Sequence, residues 1–257
     1  MWHKLLVALF MKNINIGTSG WHYKHWKGTF YPQELKQNQH FPYYLQNFKT
    51  VEINNSFYRL PTPETFLNWK NSVPDDFIFA VKASRYITHM KKLNDPVESI
   101  ESFFNNVNYL GEKLGPILFQ LPPFWPINFN RLEEFFKHLP KTYRYTFEFR
   151  NTTWYTDNVY ELLNKYNIAF CIYEIDKHLS PLNVTADFVY VRLHGPEGKY
   201  AGSYSDQTLK GWAKRCIQWA QNGKEVFIYF DNDQHGYAAF NAKKLLELIN
   251  THVKNDL

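Results

Sequence analysis

Several charged residues in this chain sit at the ends of short apolar runs, two residues apart or on successive runs. Glu52 and Asn54 close Val51-Glu-Ile-Asn54. Lys82 and Arg85 close Val81-Lys-Ala-Ser-Arg85, and Gln120 lies in Gly115-Pro-Ile-Leu-Phe-Gln-Leu-Pro-Pro123. Glu148-Phe-Arg150, Val191-Arg-Leu-His-Gly195 and Tyr229-Phe-Asp-Asn-Asp233 supply an acid and a cation, a cation and a histidine, and two acids. Carboxylates on different strands suit general acid/base chemistry, including glycosidase-like work. His194 is a proton shuttle near neutral pH. Lys82, Arg150 and Arg192 suit an anion, because arginine offers a planar two-toothed fork. The catalytic set expected from these patterns is therefore Glu52, Glu148 and His194. The expected ligand contacts are Trp21, Tyr23, Trp26, Asn54, Tyr58, Lys82, Arg85, Gln120, Arg150, Trp154, Arg192, Asp231 and Asn232. Among these, Trp21, Tyr23, Trp26 and Trp154 are the rings that would stack on a sugar or base.

Competing chemistries are less well served. Glu52, Glu148, Glu174, His194 and Asp231 include ligand types for a divalent ion. The neighbouring Lys82, Arg150 and Arg192 would oppose a cation, and no His-x-x-x-His or cysteine cluster is present. The expectation is a metal-independent site without a cofactor. His178 reads as a loop histidine. Ser19 and Ser84 lie near run ends, but no Gly-x-Ser-x-Gly elbow supports a serine nucleophile. The leading reading is an acid/base enzyme acting on a small phosphorylated or carboxylated substrate. One alternative is a non-catalytic binder of an anionic metabolite or single-stranded nucleic acid. A divalent-metal hydrolase or isomerase is the other.

Something must hold these residues together. Eight apolar runs recur: Ile14–Trp21, Phe48–Tyr58, Phe77–Ser84, Gly115–Pro122, Tyr143–Arg150, Ile168–Asp176, Phe188–His194 and Val226–Asp233. Helical patterning separates most of them. Eight strand–helix units of this kind specify a single (β/α)8 TIM-type barrel, which carries its chemistry at the C-terminal ends of the strands. An open doubly wound sheet is disfavoured, because no glycine-rich phosphate fingerprint follows the first run. Alternation along the strands places the apolar set outward against helices and the polar set towards the axis.

Helix punctuation supports this reading. Asp95 precedes Pro96 as an N-cap acid for a helix reaching about Leu110, with Gly111 at its end. Thr62-Pro63-Glu64 opens another, to about Ser72. Helices are also expected over Asn128–Leu139, Asn158–Tyr166, Asp206–Gln221 and Asn241–Lys254, with Gly223 stopping the helix before the last strand. Pro32 and Pro42 predict a broken or short helix in the first connection. Lys177–Asp187, between the sixth and seventh strands, is too short for a crossover helix. It predicts a loop or single turn.

The chain has 257 residues, 44% hydrophobic and 21% charged, with no low-complexity linker. That suits one domain over residues 14–254, preceded by an N-terminal extension over residues 1–13. Aromatics reach 19%, enough both to fill a core and to line a site. The net charge of +5 is compatible with an anionic ligand, but no Lys/Arg stripe marks a nucleic-acid surface. Cys171 and Cys216 specify neither a disulfide framework nor a zinc site, which fits a reducing cytoplasm. Met1–Phe10 is too short in its apolar part to span a membrane and lacks a signal-peptide cleavage site, so Met11 is an alternative start. The sequence does not specify an oligomeric state.

The same residues carry a family resemblance. Ile16-Gly-Thr-Ser-Gly-Trp21, with Tyr23, Trp26, Gly28 and Phe30-Tyr31-Pro32, resembles the opening of the YecE-like family, domain of unknown function 72. The motifs around Glu52, Ser56-Phe-Tyr-Arg59, Lys82, Gln120, Glu148, Arg192 and Asp231 extend the match from about Ile14 to Leu246. The resemblance implies a TIM-type barrel and supplies no activity. The family's last motif usually reads Asn-Asn-Asp, whereas this chain has Asp231-Asn232-Asp233. Asp233 is therefore the better candidate for a shared acid role.

Overall fold

The computed structural model describes residues 13–255. The Met1–Phe10 extension and the alternative start at Met11 lie outside the described residues. The strands are β1 (Ile14–Thr18), β2 (Thr50–Ile53), β3 (Ile78–Lys82), β4 (Leu114–Leu121), β5 (Tyr145–Phe149), β6 (Ala169–Ile175), β7 (His178–Leu179), β8 (Phe188–Leu193) and β9 (Glu225–Phe230). The helices are α1 (His40–Leu45), α2 (Pro63–Asn71), α3 (Pro96–Val107), α4 (Phe129–His138), α5 (Asp157–Lys165), α6 (Asp206–Gln221) and α7 (Tyr237–Asn255). Sheet order is β1-β9-β8-β6-β5-β4-β3-β2, with β7 beside β6. Among the described residues, eight parallel strands alternating with helices make the α/β TIM-type fold that the sequence specified. By contacts these residues form two compact units.

The first unit comprises residues 13–51, 172–182 and 187–255. Its centre is β9, paired in parallel with β1 from Ile14↔Val226 to Thr18↔Phe230 and with β8 from Phe188↔Glu225 to Leu193↔Phe230. Val226 to Phe230 are all fully buried, as expected of a parallel strand covered on both faces. Gly17 on β1 is obligatory. A methyl group there would lie 2.3 Å from the carbonyl oxygen of Thr50, so only glycine admits the backbones this closely. The Tyr44 hydroxyl, from the short α1, accepts from the Thr18 backbone at 3.1 Å and donates to the Thr50 carbonyl at 3.0 Å. The segment after β6 turns back as a hairpin, pairing Glu174↔Leu179 and Ile175↔His178. Asp176 and Lys177 take φ values of 49° and 63°, the pair of positive angles that a tight hairpin turn requires. A hairpin thus stands where the sequence called for a loop or single turn.

The second unit comprises residues 52–171 and 183–186. Here β4 pairs with β3 and β5, and β5 with the start of β6. Phe119, Phe147, Phe149 and Phe170 stack in sequence, with centroids 5.0 to 6.1 Å apart. Each such buried ring contributes about 1.5–3 kcal/mol of burial free energy.

Helix starts follow their caps. Thr62, Asn128 and Ser205 each accept from the backbone three residues on. Asp95 departs from this pattern. Its backbone is left-handed at φ 45° and its carboxylate pairs with Lys91 at 3.1 Å, so it does not cap α3. α3 itself ends at Val107, and a 3-10 turn carries the chain to Lys113 through Gly111. β2 is shorter than its apolar run. The Ser56 hydroxyl bonds the carbonyls of Ile53 and Lys82, folding Asn55–Phe57 into a 3-10 turn.

Candidate functional site

In the first unit, the C-terminal ends of β1, β6, β8 and β9 are locked together by backbone bonds beyond the strands. Ser19 donates to Phe230, Asp231 to Leu193, and His194 to Glu174. This ladder fixes four side chains. Arg192 is fully buried, and its Nη2 lies 3.0 Å from Asp231 Oδ2 and 3.4 Å from Ser19 Oγ. Its Nη1 lies 3.2 Å from His194 Nε2, while His194 Nδ1 lies 2.9 Å from the same Asp231 oxygen. A guanidinium only donates, so Nε2 accepts from Arg192. One carboxylate oxygen therefore serves both a cation and an imidazole.

Asp233 follows on the same strand end. Its Oδ2 lies 2.9 Å from His25 Nε2, and its Oδ1 accepts from the indole of fully buried Trp26. Burial pushes its carboxyl up to about 7, assisted by the nearby Asp231 charge and opposed by His25 and Trp26. Its side chain remains 16% exposed, so a proton can be exchanged there. Tyr23 donates its hydroxyl to the Ser19 carbonyl and packs on Trp26 at 5.0 Å. Trp21 is buried and stacks on Phe41 at 4.6 Å. Asn232 is fully buried, and its amide donates to Gly202 and Asn241, tying down the loop after β8. Glu174, read from sequence as axis-facing, instead accepts from Trp212 of α6 near Arg215. Burial still raises its carboxyl above the ordinary range.

In the second unit, fully buried Glu148 forms an ion pair with Arg150, and the Cys171 thiol points at its other oxygen from 3.7 Å. Gln120 is the register partner of Glu148 across β4–β5. Glu52 is fully buried at the end of β2, with Asn54 half-buried just beyond it. The Lys82 ammonium sits 4.4 Å over the Phe57 ring. Arg85 is exposed on the turn after β3, and Tyr58 is 75% exposed, having left the strand. Trp154 is fully buried, donates to the Trp125 carbonyl, and is covered by Trp125 and Phe149. Stacking on a ligand would require displacing those rings.

The strand ends thus bring Arg192, His194 and Asp231 together in one unit and Glu148 with Arg150 in the other. Two residues absent from the sequence reading stand out, His25 beside Asp233 and His89 beside Phe57. Both lie on turns several residues past a strand, where a periodicity argument carries no signal. Among the described residues, no three His, Cys, Asp or Glu side chains gather in a metal-holding group, and no helix is long and apolar enough to cross a membrane.

The profile of the family described as "Protein of unknown function DUF72" matches residues 15–256. UPF0759 protein YunF of Bacillus subtilis is 28% identical over 269 residues, spanning 92% of this chain and 94% of that protein. UPF0759 protein YecE of Escherichia coli is 32% identical over 109 residues, spanning 42% of this chain and 40% of that protein. A DUF72 family crystal structure from Thermotoga maritima matches with a TM-score of 0.83 at 30% identity, covering 92% of this chain and 99% of that one. Another from Enterococcus faecalis matches at 0.77 and 20% identity, covering 92% and 95%, a likeness of fold alone.

Proposed function

Given that this chain belongs to the DUF72 family of proteins of unknown function, we propose that it is a metal-independent acid/base enzyme for a small anionic substrate, phosphorylated or carboxylated. The observation that carries this reading is the contrast between two neighbouring acids. Asp231 pairs with the Arg192 guanidinium, which stabilises its charge, and lies beside the His194 imidazole. Asp233 is pushed up to about 7 by burial and is still reachable by solvent. Environments that drive two carboxyl groups apart mark acid and base roles. A carboxyl poised near neutrality both gives and takes a proton at useful rates. Asp233 is then the proton-exchanging group. Burial, with the nearby Asp231 charge assisting, keeps it partly protonated, while Arg192 and His194 hold Asp231 in place.

A ligand that binds only the folded chain raises its melting temperature by mass action. A screen of small phosphorylated, carboxylated and neutral compounds by thermal shift tests the reading. Anionic compounds are expected to give the larger shifts, and Arg192→Met to abolish the part of each shift that survives in Arg85→Ala. With a hit in hand, Asp233→Asn should keep binding and lose turnover. Larger shifts from neutral sugars, or full turnover by Asp233→Asn, would refute it.

A further inference from the structure

The turn after β3 is unusual in two respects. Residues Tyr86–Met90 form a single π turn, closed by the Lys91 backbone donating to the Tyr86 carbonyl at 2.8 Å. Lys92, Leu93 and Asp95 follow with φ values of 48°, 64° and 45°, conformations that side-chain-bearing residues adopt at a cost. Leu93 is only 2% exposed, so its packing helps hold the strained backbone. Strain of this kind, and π turns generally, concentrate at binding sites.

What the turn holds is a cationic cluster around one ring. His89 meets the Phe57 ring edge-on at 5.0 Å, Lys82 Nζ lies 4.4 Å over that ring, and Tyr58 packs against it at 5.0 Å. Arg85, at the start of the turn, is exposed and makes no ion pair among the described residues. His89 Nδ1 is 2.9 Å from Thr88 Oγ1, which fixes the ring and leaves Nε2 without a partner among the described residues. Burial, Lys82 and Arg85 hold His89 down at about 4, so the imidazole is neutral at physiological pH and sits in a positive field. The acid at the turn's far end, Asp95, is already engaged by Lys91.

We propose that Lys82 and His89, both against Phe57, together with the exposed Arg85 at the start of the same turn, bind the phosphoryl group of a small phosphomonoester whose aromatic portion lies on Tyr58. The tetrahedral dianion suits the set: a forked guanidinium, an ammonium and an imidazole nitrogen that becomes a donor once an anion approaches. Tyr58, three-quarters exposed yet anchored on Phe57, offers a ring face at little ordering cost. This inference needs no turnover and does not depend on the acid/base role of Asp233.

The test uses the full chain, inorganic phosphate and phenyl phosphate. NMR titration of His89 should show its midpoint rising by at least about one pH unit at saturating phosphate, because a bound anion favours the protonated ring. Arg85→Ala, an exposed substitution that spares the fold, should weaken phosphate binding about tenfold or more by calorimetry, and Lys36→Ala should not. Tyr58→Ala should weaken phenyl phosphate and leave inorganic phosphate unchanged. An unmoved His89 midpoint overturns the proposal. So does phosphate binding that survives in Arg85→Ala and is lost in Arg192→Met, which would assign the anion to the first unit.

Discussion

Replacing Asp233 by asparagine removes a titration whose sign is worked out from the structure. The folded carboxyl titrates at about 7 against an ordinary 3.8, mainly because burial disfavours its charge. Below about pH 4 the group is protonated whether the chain is folded or not. Between about 4 and 7 the unfolded chain loses the proton and the folded chain keeps it, so stability falls as pH rises. Above 7 the whole penalty is in place. A rise from 3.8 to about 7 sets a ceiling of about 4 kcal/mol. Screening at the partly exposed carboxyl and the His25 counter-charge bring the measurable part to about 1–2 kcal/mol. Asparagine keeps the acceptor for Trp26 and cannot ionise. Urea unfolding of both proteins at half-unit steps from pH 4 to 8 measures this difference, since groups away from Asp233 and its neighbours His25 and Asp231 titrate alike in each. The wild type should lose at least about 1 kcal/mol relative to Asp233→Asn across that range. Parallel stability curves, or a wild type that gains on the variant as pH rises, would refute the reasoning.

Arg192→Met leaves the buried Asp231 carboxylate without its guanidinium and should cost about 3–5 kcal/mol in chemical denaturation, with Arg192→Met/Asp231→Asn recovering a large share; strictly additive effects would exclude the shared ion pair. Trp154→Ala should cost about 3–5 kcal/mol by the same measurement, against less than about 0.5 for the exposed Tyr58→Ala. Gly17→Ala forces a methyl group into the Thr50 carbonyl and should lower the melting temperature by several degrees, about 1 kcal/mol or more; an unchanged transition would mean that the β1–β2 approach is not tight. Elemental analysis of protein purified without chelator should find no stoichiometric divalent ion, and one held by Glu52, Glu148 or Asp231 would contradict the metal-independent reading.

Strands were legible because a parallel strand buried on both faces reads as an apolar run, as Val226–Phe230 does. Thr62 and Asn128 announced their helices because a cap is a local bond between residues three apart. Asp95 misled for the complementary reason: Lys91, one turn back, claimed its carboxylate, and the left-handed backbone took it off the helix axis. The end of β2 was set by Ser56 bonding to Lys82 on another strand, a contact that no local pattern announces. The charged strand ends Arg192 and His194 were found because they lie two residues apart on one strand, and Asp231 because it ends the strand paired with it. Glu174 shares that position but finds Trp212 on the helix side, so alternation alone misassigned it. Trp154 has the composition of a stacking residue and the surroundings of a core residue. Only the rings of Trp125 and Phe149 decide between the two.

The pairing of β1 with β9 has a consequence for how the chain emerges from the ribosome. Ile14 meets Val226, so β1 is made roughly two hundred residues before its ladder partner. At about 5–20 residues per second, that is on the order of 10–40 s during which β1 has no β9 to close on. An apolar strand with open backbone groups is a template for pairing with other chains. The intervening β3, β4 and β5 meet neighbours close in sequence and have no such wait. The vulnerable interval in the life of this protein is therefore its own synthesis, and β1 is an element left waiting through it.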